Sequence, residues 1–216
     1  MTTKAAAIVI LLMMAGALAG SLALYSELPD RLPMHWNLNG EVDGWGGKAF
    51  GAFFGPGIML CLLAWLFAGE WVSPVRYKIA PFQRTYNLVF AIMAALLLYL
   101  QVVMLAAGLH PGRSYGRWLV SGIFLFFACL GNLLGKTRPN FIVGIRVPWT
   151  LADERVWVAT HRLAARLLCA VGVLGAIFAW LGVPLAVCFG LLAAGLAVPV
   201  AYSFVLSKRL ERSGSV

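Results

Sequence analysis

Six long runs of mostly apolar residues, with at most one charged residue in each, constrain this chain more than any other feature. An α-helix needs about 20 such residues to cross the hydrocarbon core of a bilayer, and a chain in lipid can satisfy its backbone only within helices or closed barrels. The chain has 62% hydrophobic and 12% charged residues, whereas a soluble domain carries about 25% charged residues. We therefore predict an all-α, polytopic integral membrane protein with six transmembrane helices. The predicted spans are residues 5–25, 49–71, 87–109, 118–134, 163–182 and 184–206.

The distribution of Lys and Arg predicts the orientation of these helices. With Arg166, at the start of the fifth span, counted in the fourth connection, the N-terminus, the second and fourth connections and the C-terminus carry 13 of the 17 basic residues, and the other connections carry 4. Cytoplasmic connections are the basic ones, so both termini are expected in the cytoplasm and the first connection outside a bacterial cytoplasmic (inner) membrane. The net charge of +9 is expected to interact with the anionic headgroups of the lipid bilayer. We do not expect direct binding to nucleic acid. A cleaved signal peptide is the alternative for residues 5–25, although its apolar core should have only about 7–15 residues.

The first connection, residues 26–48, is rich in Gly, Pro and Asn, which predicts a hydrogen-bonded turn on the membrane surface. It holds four of the eight acidic residues. The candidates for a metal site here are His35, Asn37, Asn39, Glu41 and Asp43, but the connection lacks the spacing of an EF-hand calcium loop. The three histidines lie in separate connections, without zinc spacing. We therefore expect neither a metal ion nor a cofactor.

The fourth connection is the most basic part of the chain, with six of the 17 Lys and Arg. Thr150 followed by an acid at Asp153 resembles a capping box, so a helix is predicted to begin at Leu151. This helix is amphipathic, because one face carries a basic stripe and another carries Trp157 and His161. We predict that it lies in the headgroup layer before the fifth span, with Trp157 in the lipid. A partner-binding surface is the alternative. The basic stripe consists of Arg155, Arg162 and Arg166.

Two segments resemble the SdpI family of bacterial membrane proteins. The sequence LPDRLPMHWNLNGEVDGWGGK, at residues 28–48, is similar to the DUF1648 segment of that family, and residues 131–161 are similar to its C-terminal half. The resemblance divides the chain into a DUF1648-like module, residues 1–71, with two spans and the acidic external loop, and an SdpI-like module, residues 72–216, with four spans and the basic cytoplasmic loop 135–162. The candidate partner-binding residues are His35, Trp36, Asn37, Gly40, Asp43, Trp45, Asn132, Arg146, Trp149, Thr150, Trp157 and His161.

The resemblance implies a function in binding and signalling. It implies an immunity factor that protects a bacterium from a secreted antimicrobial peptide and, as in the best-known members, recruits a cytoplasmic ArsR-type repressor to the membrane. The expected partners are therefore a toxin outside and a repressor inside. An enzyme is not expected, because the sequence has no G-x-S-x-G elbow, no H-E-x-x-H helix and no acidic residue near the centre of a span. A small permease or flippase for an amphiphilic substrate is the alternative function.

Overall fold

The computed structural model describes residues 1–214 and confirms the predicted helical membrane fold. Six of its helices are long and apolar enough to cross a bilayer. Many of their Leu, Val, Phe and Trp side chains are exposed, as expected of surfaces that face lipid tails instead of water. The helices are α1 (Thr3–Leu24), α2 (Lys48–Val72), α3 (Gln83–Leu109), α4 (Gly116–Leu134), α5 (Pro148–Ala152), α6 (Glu154–Trp180) and α7 (Leu185–Arg212).

The first connection contains a short β-hairpin, which adds two strands to the predicted helical fold. Strand β1 (Arg31–Trp36) pairs antiparallel with strand β2 (Val42–Gly47). Asn37 closes the turn, because its side-chain oxygen accepts hydrogen bonds from the backbone N–H groups two and four residues later, at 2.9 and 3.1 Å. Gly40 supplies a left-handed conformation, with φ 78°. The turn residues are visible in the sequence, but the short strands lack the apolar alternation by which strands are predicted.

The helix expected to begin at Leu151 begins later. Asp153 interrupts the helical path with φ −129° and ψ 120°, and its carboxylate caps α6 by accepting a hydrogen bond from the backbone N–H of Arg155 at 2.7 Å. One continuous helix, Glu154–Trp180, then contains both the predicted amphipathic segment and the fifth span. The prediction of Thr150 as the N-cap is therefore wrong, because Thr150 lies inside α5.

The six long helices pack as two groups of three. Helices α1, α2 and α3 contact one another, α6 packs between α4 and α7, and α3 packs on α4 to join the groups. Glycines bring α4 and α6 close together, since a Cβ on Gly172 would lie 2.6 Å from the carbonyl oxygen of Phe124. A Cβ on Gly131 would lie 2.8 Å from the backbone nitrogen of Cys169. Small residues permit such close backbone contact between helices in a membrane.

Gln101 repairs a gap in the backbone hydrogen bonding of α2. Pro56 lies inside α2 and has no N–H to donate to the carbonyl of Ala52, four residues earlier. The Gln101 amide, from α3, donates to that carbonyl at 2.9 Å and accepts a hydrogen bond from the backbone N–H of Gly55 at 3.2 Å. It also donates to the hydroxyl of Ser21 in α1 at 3.1 Å. One carboxamide therefore joins the three helices of the first group.

Candidate functional site

The candidate residues occupy two regions at opposite ends of α4. The outer hairpin, residues 31–47, follows α1, and the inner connection, residues 135–153, follows α4. Gly40 of the outer hairpin lies against Gly116, the first residue of α4. The inner connection starts where α4 ends, at Leu134. The names outer and inner follow the orientation predicted from the basic residues.

Asn140 shapes the inner connection. Its side chain is buried, and its amide donates to the carbonyls of Arg138 and Val143 at 2.7 and 2.9 Å. Its side-chain oxygen accepts hydrogen bonds from the backbone N–H groups of Ile142 and Val143 at 2.8 and 2.7 Å. These bonds satisfy backbone groups that no helix or strand satisfies. The candidate residues chosen from the sequence do not include Asn140, although the Pro-Asn pair that contains it is a turn signal.

His161 ties the inner connection to α6. Its Nε2 accepts a hydrogen bond from the backbone N–H of Ile145 at 2.9 Å, and its Nδ1 lies 2.8 Å from the carbonyl oxygen of Trp157. The N–H requires an acceptor and the carbonyl requires a donor, so the ring is neutral with its proton on Nδ1. Gly144 passes over the ring with φ 119°, and a Cβ on Gly144 would collide with Nε2. His161 is 1% exposed, so its position is structural.

Trp157 and Thr150 add further hydrogen bonds between the inner connection and α6 and within the inner connection. Trp157 is 0% exposed, stacks on His161 with the ring centroids 4.0 Å apart, and donates its indole N–H to the carbonyl of Thr137 at 3.2 Å. The Thr150 hydroxyl donates to the carbonyl of Ile145 at 2.7 Å. The prediction that Trp157 lies in the lipid is wrong, because the inner connection covers it. The inner cluster is defined as Thr137, Asn140, Gly144, Thr150, Trp157 and His161.

The other candidate residues of this region lie outside the inner cluster. The Trp149 indole N–H donates to the hydroxyl of Ser203 at 2.7 Å, which docks α5 on α7. Arg146 is exposed, and its guanidinium donates to the carbonyl of Phe141. Asn132 is exposed on α4. The structure thus brings Thr150, Trp157 and His161 together in one buried cluster and leaves Arg146 and Asn132 at the surface.

The basic stripe of Arg155, Arg162 and Arg166 lies on an exposed face of α6. Nη2 of Arg155 lies 2.7 Å from Oδ2 of Asp153. The side-chain hydrogen bond from Arg155 lowers the pKa of the Asp153 carboxyl. The neighbouring acid, Glu154, lies 3.5 Å from Nη1 of Arg138. Residues 135–166 hold six Lys and Arg against these two acids, so the inner surface around the stripe keeps a net positive charge.

The outer hairpin has several of its candidate residues exposed at the molecular surface. Trp45 is 51% exposed, and Trp36 and Trp45 line a groove of about 300 Å³ together with Arg113 of the third connection. Nδ1 of His35 lies 2.5 Å from Oδ1 of Asp43, and both side chains are exposed. Within residues 1–214, no three His, Cys, Asp or Glu side chains are grouped to hold a metal ion. The hairpin therefore offers aromatic surface with an exposed acid–base pair beside it.

The outer hairpin is fixed to the helices beneath it. Leu32 is buried between α2 and α3, where a Cβ on Gly51 or Gly108 would collide with its side chain. At the tip, a Cβ on Gly116 would lie 2.6 Å from the Cα atom of Gly40. Glycines at these contacts let the hairpin lie directly on the helices, so the groove beside the tryptophans is preformed.

Comparison with known proteins finds a match for each of the two regions. Residues 136–203, which include the inner cluster, match the SdpI/YfhL protein family, and residues 9–60, which include the outer hairpin, match the domain of unknown function DUF1648. The Immunity protein SdpI of Bacillus subtilis (strain 168) is 27% identical over 160 residues, which are 74% of this chain and 74% of that protein. No solved structure matches the chain significantly. The resemblance found in the sequence is confirmed.

Proposed function

We infer from its place in the SdpI family that this multi-pass protein of a bacterial cell membrane gives immunity to a secreted antimicrobial peptide. The relative from Bacillus subtilis is named as an immunity protein. The observation that carries the proposal is the outer hairpin, where Trp36 and Trp45 line a preformed groove on a rigid support. A toxin that arrives from outside meets this surface before it meets the bilayer.

The chemistry of the groove suits an amphiphilic peptide. A Trp side chain combines a large apolar surface with one N–H donor, and such side chains dominate the energetics of many interfaces. The first connection adds negative charge, because residues 26–48 contain four acids and two basic residues. A cationic peptide with apolar side chains is therefore attracted by the acids of this connection, of which Glu41 lines the groove beside Arg113, and is retained by the aromatic rings. Capture of the peptide at this position keeps it from entering the lipid.

Replacement of the two tryptophans tests the proposal. Trp36→Ala and Trp45→Ala should each lower protection about tenfold or more, because truncation of a central interface Trp costs about 2 kcal/mol or more. The measurement is the concentration of secreted antimicrobial peptide that halves the growth of cells carrying each variant, together with the amount of protein in the membrane. Trp71→Ala is the matched control, since Trp71 is 88% exposed at the opposite end of α2. Equal losses in the control and the hairpin variants would refute the assignment.

The inner face supports a second proposed role, the capture of a cytoplasmic ArsR-type repressor. The basic stripe on α6 is exposed and its neighbouring acids are paired, so the surface attracts an acidic protein patch. Capture by the membrane would withdraw the repressor from DNA. The alternative function, transport of an amphiphilic substrate, gains support if purified protein moves such a substrate into vesicles without any toxin or repressor.

A further inference from the structure

An apolar crevice separates the two groups of helices on the inner side. Val89 and Met93 of α3 form one wall, and Leu196 of α7 forms the opposite wall. Side chains of α4 and α6 form the floor, and the segment from Ile142 to Arg146 closes the inner end. The crevice measures about 320 Å³. Arg146 carries the only charged or polar side chain of the lining, and the whole lining lies within residues 1–214.

The crevice extends from the membrane surface toward the middle of the bilayer. Its floor includes both Phe126 and Leu134 of α4. Eight residues of α-helix separate these positions, which corresponds to about 12 Å at about 1.5 Å per residue. Half of the hydrocarbon core is about 15 Å thick. The apolar depth is therefore that of one leaflet, with Arg146 at the end where α4 gives way to the inner connection.

Arg146 is positioned to bind an anion at the inner end of the crevice. One N–H of its guanidinium donates to the carbonyl of Phe141, and the guanidinium has five donors in total. Ile145, the residue before it, is held by the hydrogen bond to His161, so the backbone that carries Arg146 is anchored to α6. Arginine binds phosphate in a bidentate, charge-assisted arrangement. No acid lines the crevice to compete for the guanidinium.

We propose that the crevice binds one anionic phospholipid of the surrounding membrane, with an acyl chain along the apolar walls and its phosphate on Arg146. The charge of Arg146 matches the phosphate, and the apolar depth matches a chain in one leaflet. A lipid reaches the crevice laterally from the bilayer. A peptide toxin bound at the outer hairpin would first have to cross the membrane, because Arg146 lies at the opposite end of α4.

Native mass spectrometry of the purified full chain tests the proposal. Phosphatidylglycerol and phosphatidylcholine are added in equal amounts to protein in detergent micelles, and the lipid retained per protein is counted. We expect one retained phosphatidylglycerol and little phosphatidylcholine. Arg146→Gln should reduce phosphatidylglycerol retention about tenfold, as the loss of one charge-assisted bidentate contact predicts. Lys136→Gln is the matched control: Lys136 is an exposed basic residue of the same connection that does not line the crevice. It should retain phosphatidylglycerol within about twofold of the unmodified protein.

A second variant tests the apolar part of the site. Leu196 is 40% exposed on the wall of the crevice, so Leu196→Trp should fill the space without disturbing the buried core. We expect this variant to lose the retained lipid and to keep its unfolding temperature in detergent. The proposal is overturned if phosphatidylcholine is retained as well as phosphatidylglycerol, or if Arg146→Gln and Lys136→Gln behave alike. It is also overturned if Leu196→Trp keeps the lipid but loses binding of a toxin peptide, which would make a peptide the occupant.

Discussion

The inner cluster and the outer hairpin carry family-motif residues of the same kinds, yet the structure uses them in opposite ways. Trp157 and His161 of the inner cluster are 0% and 1% exposed, and their polar atoms bond to backbone groups. Trp45 of the outer hairpin is 51% exposed, and His35 is exposed beside Asp43. Trp157 and His161 are therefore inaccessible to a partner in this structure, whereas Trp45 and His35 are accessible to one.

The largest expected effect is a loss of folding stability when a side chain of the inner cluster is removed. His161→Ala removes a buried ring and leaves the N–H of Ile145 without its acceptor, which together should cost about 3–5 kcal/mol. The expected result is a strong loss of protein from the membrane fraction and a lower unfolding temperature in detergent. Arg162→Ala is the matched control, because Arg162 is the next residue of α6 and is exposed; its effect should stay within about 0.5 kcal/mol. If His161→Ala accumulates normally but abolishes protection, His161 belongs to a binding site and the comparison fails.

The second-largest expected effect is a loss of stability on replacement of Gln101. It tests whether a buried polar side chain outside the family motifs also stabilises the fold. Gln101→Leu leaves the Ala52 carbonyl and the Gly55 N–H without partners, at a cost of about 1–3 kcal/mol, and should lower the unfolding temperature. Pro56→Ala restores an N–H that can donate to the Ala52 carbonyl. The double variant should therefore be more stable than Gln101→Leu alone. Additive losses in the double variant would show that Gln101 stabilises the protein in another way.

The smallest effect on stability is expected at the basic stripe. Arg155→Gln combined with Arg162→Gln changes two exposed side chains and should alter the unfolding temperature little. The same pair should reduce the fraction of a repressor found in the membrane pellet, since each charge is worth about 1 kcal/mol near an anionic surface. Protection against the peptide should remain nearly intact. If the double variant loses protection and capture in equal proportion, the outer and inner faces do not act separately.

The sequence predicts the six spans because each is a long apolar run, and hydropathy needs no knowledge of neighbouring helices. The inner cluster is not predictable in the same way. His161 meets Ile145 only after the inner connection folds back on α6, and the spacing of residues along one helix does not contain that information. The hydrogen bonds between Gln101 and α2 beside Pro56 are predictable in part. The missing N–H of Pro56 predicts that some donor must satisfy the carbonyl of Ala52, but the sequence does not identify which helix supplies it.

The contact between Gly40 and Gly116 also has a mechanical consequence. Helix α4 is one continuous helix of 19 residues, about 28 Å long at about 1.5 Å per residue. Its first residue touches the tip of the outer hairpin. At its other end, the carbonyl of Leu134 accepts a hydrogen bond from the backbone N–H of Thr137, whose own carbonyl accepts the indole N–H of Trp157. One helix therefore touches the outer hairpin with its first residue and the inner cluster with its last, so a displacement of α4 along its axis would act on both.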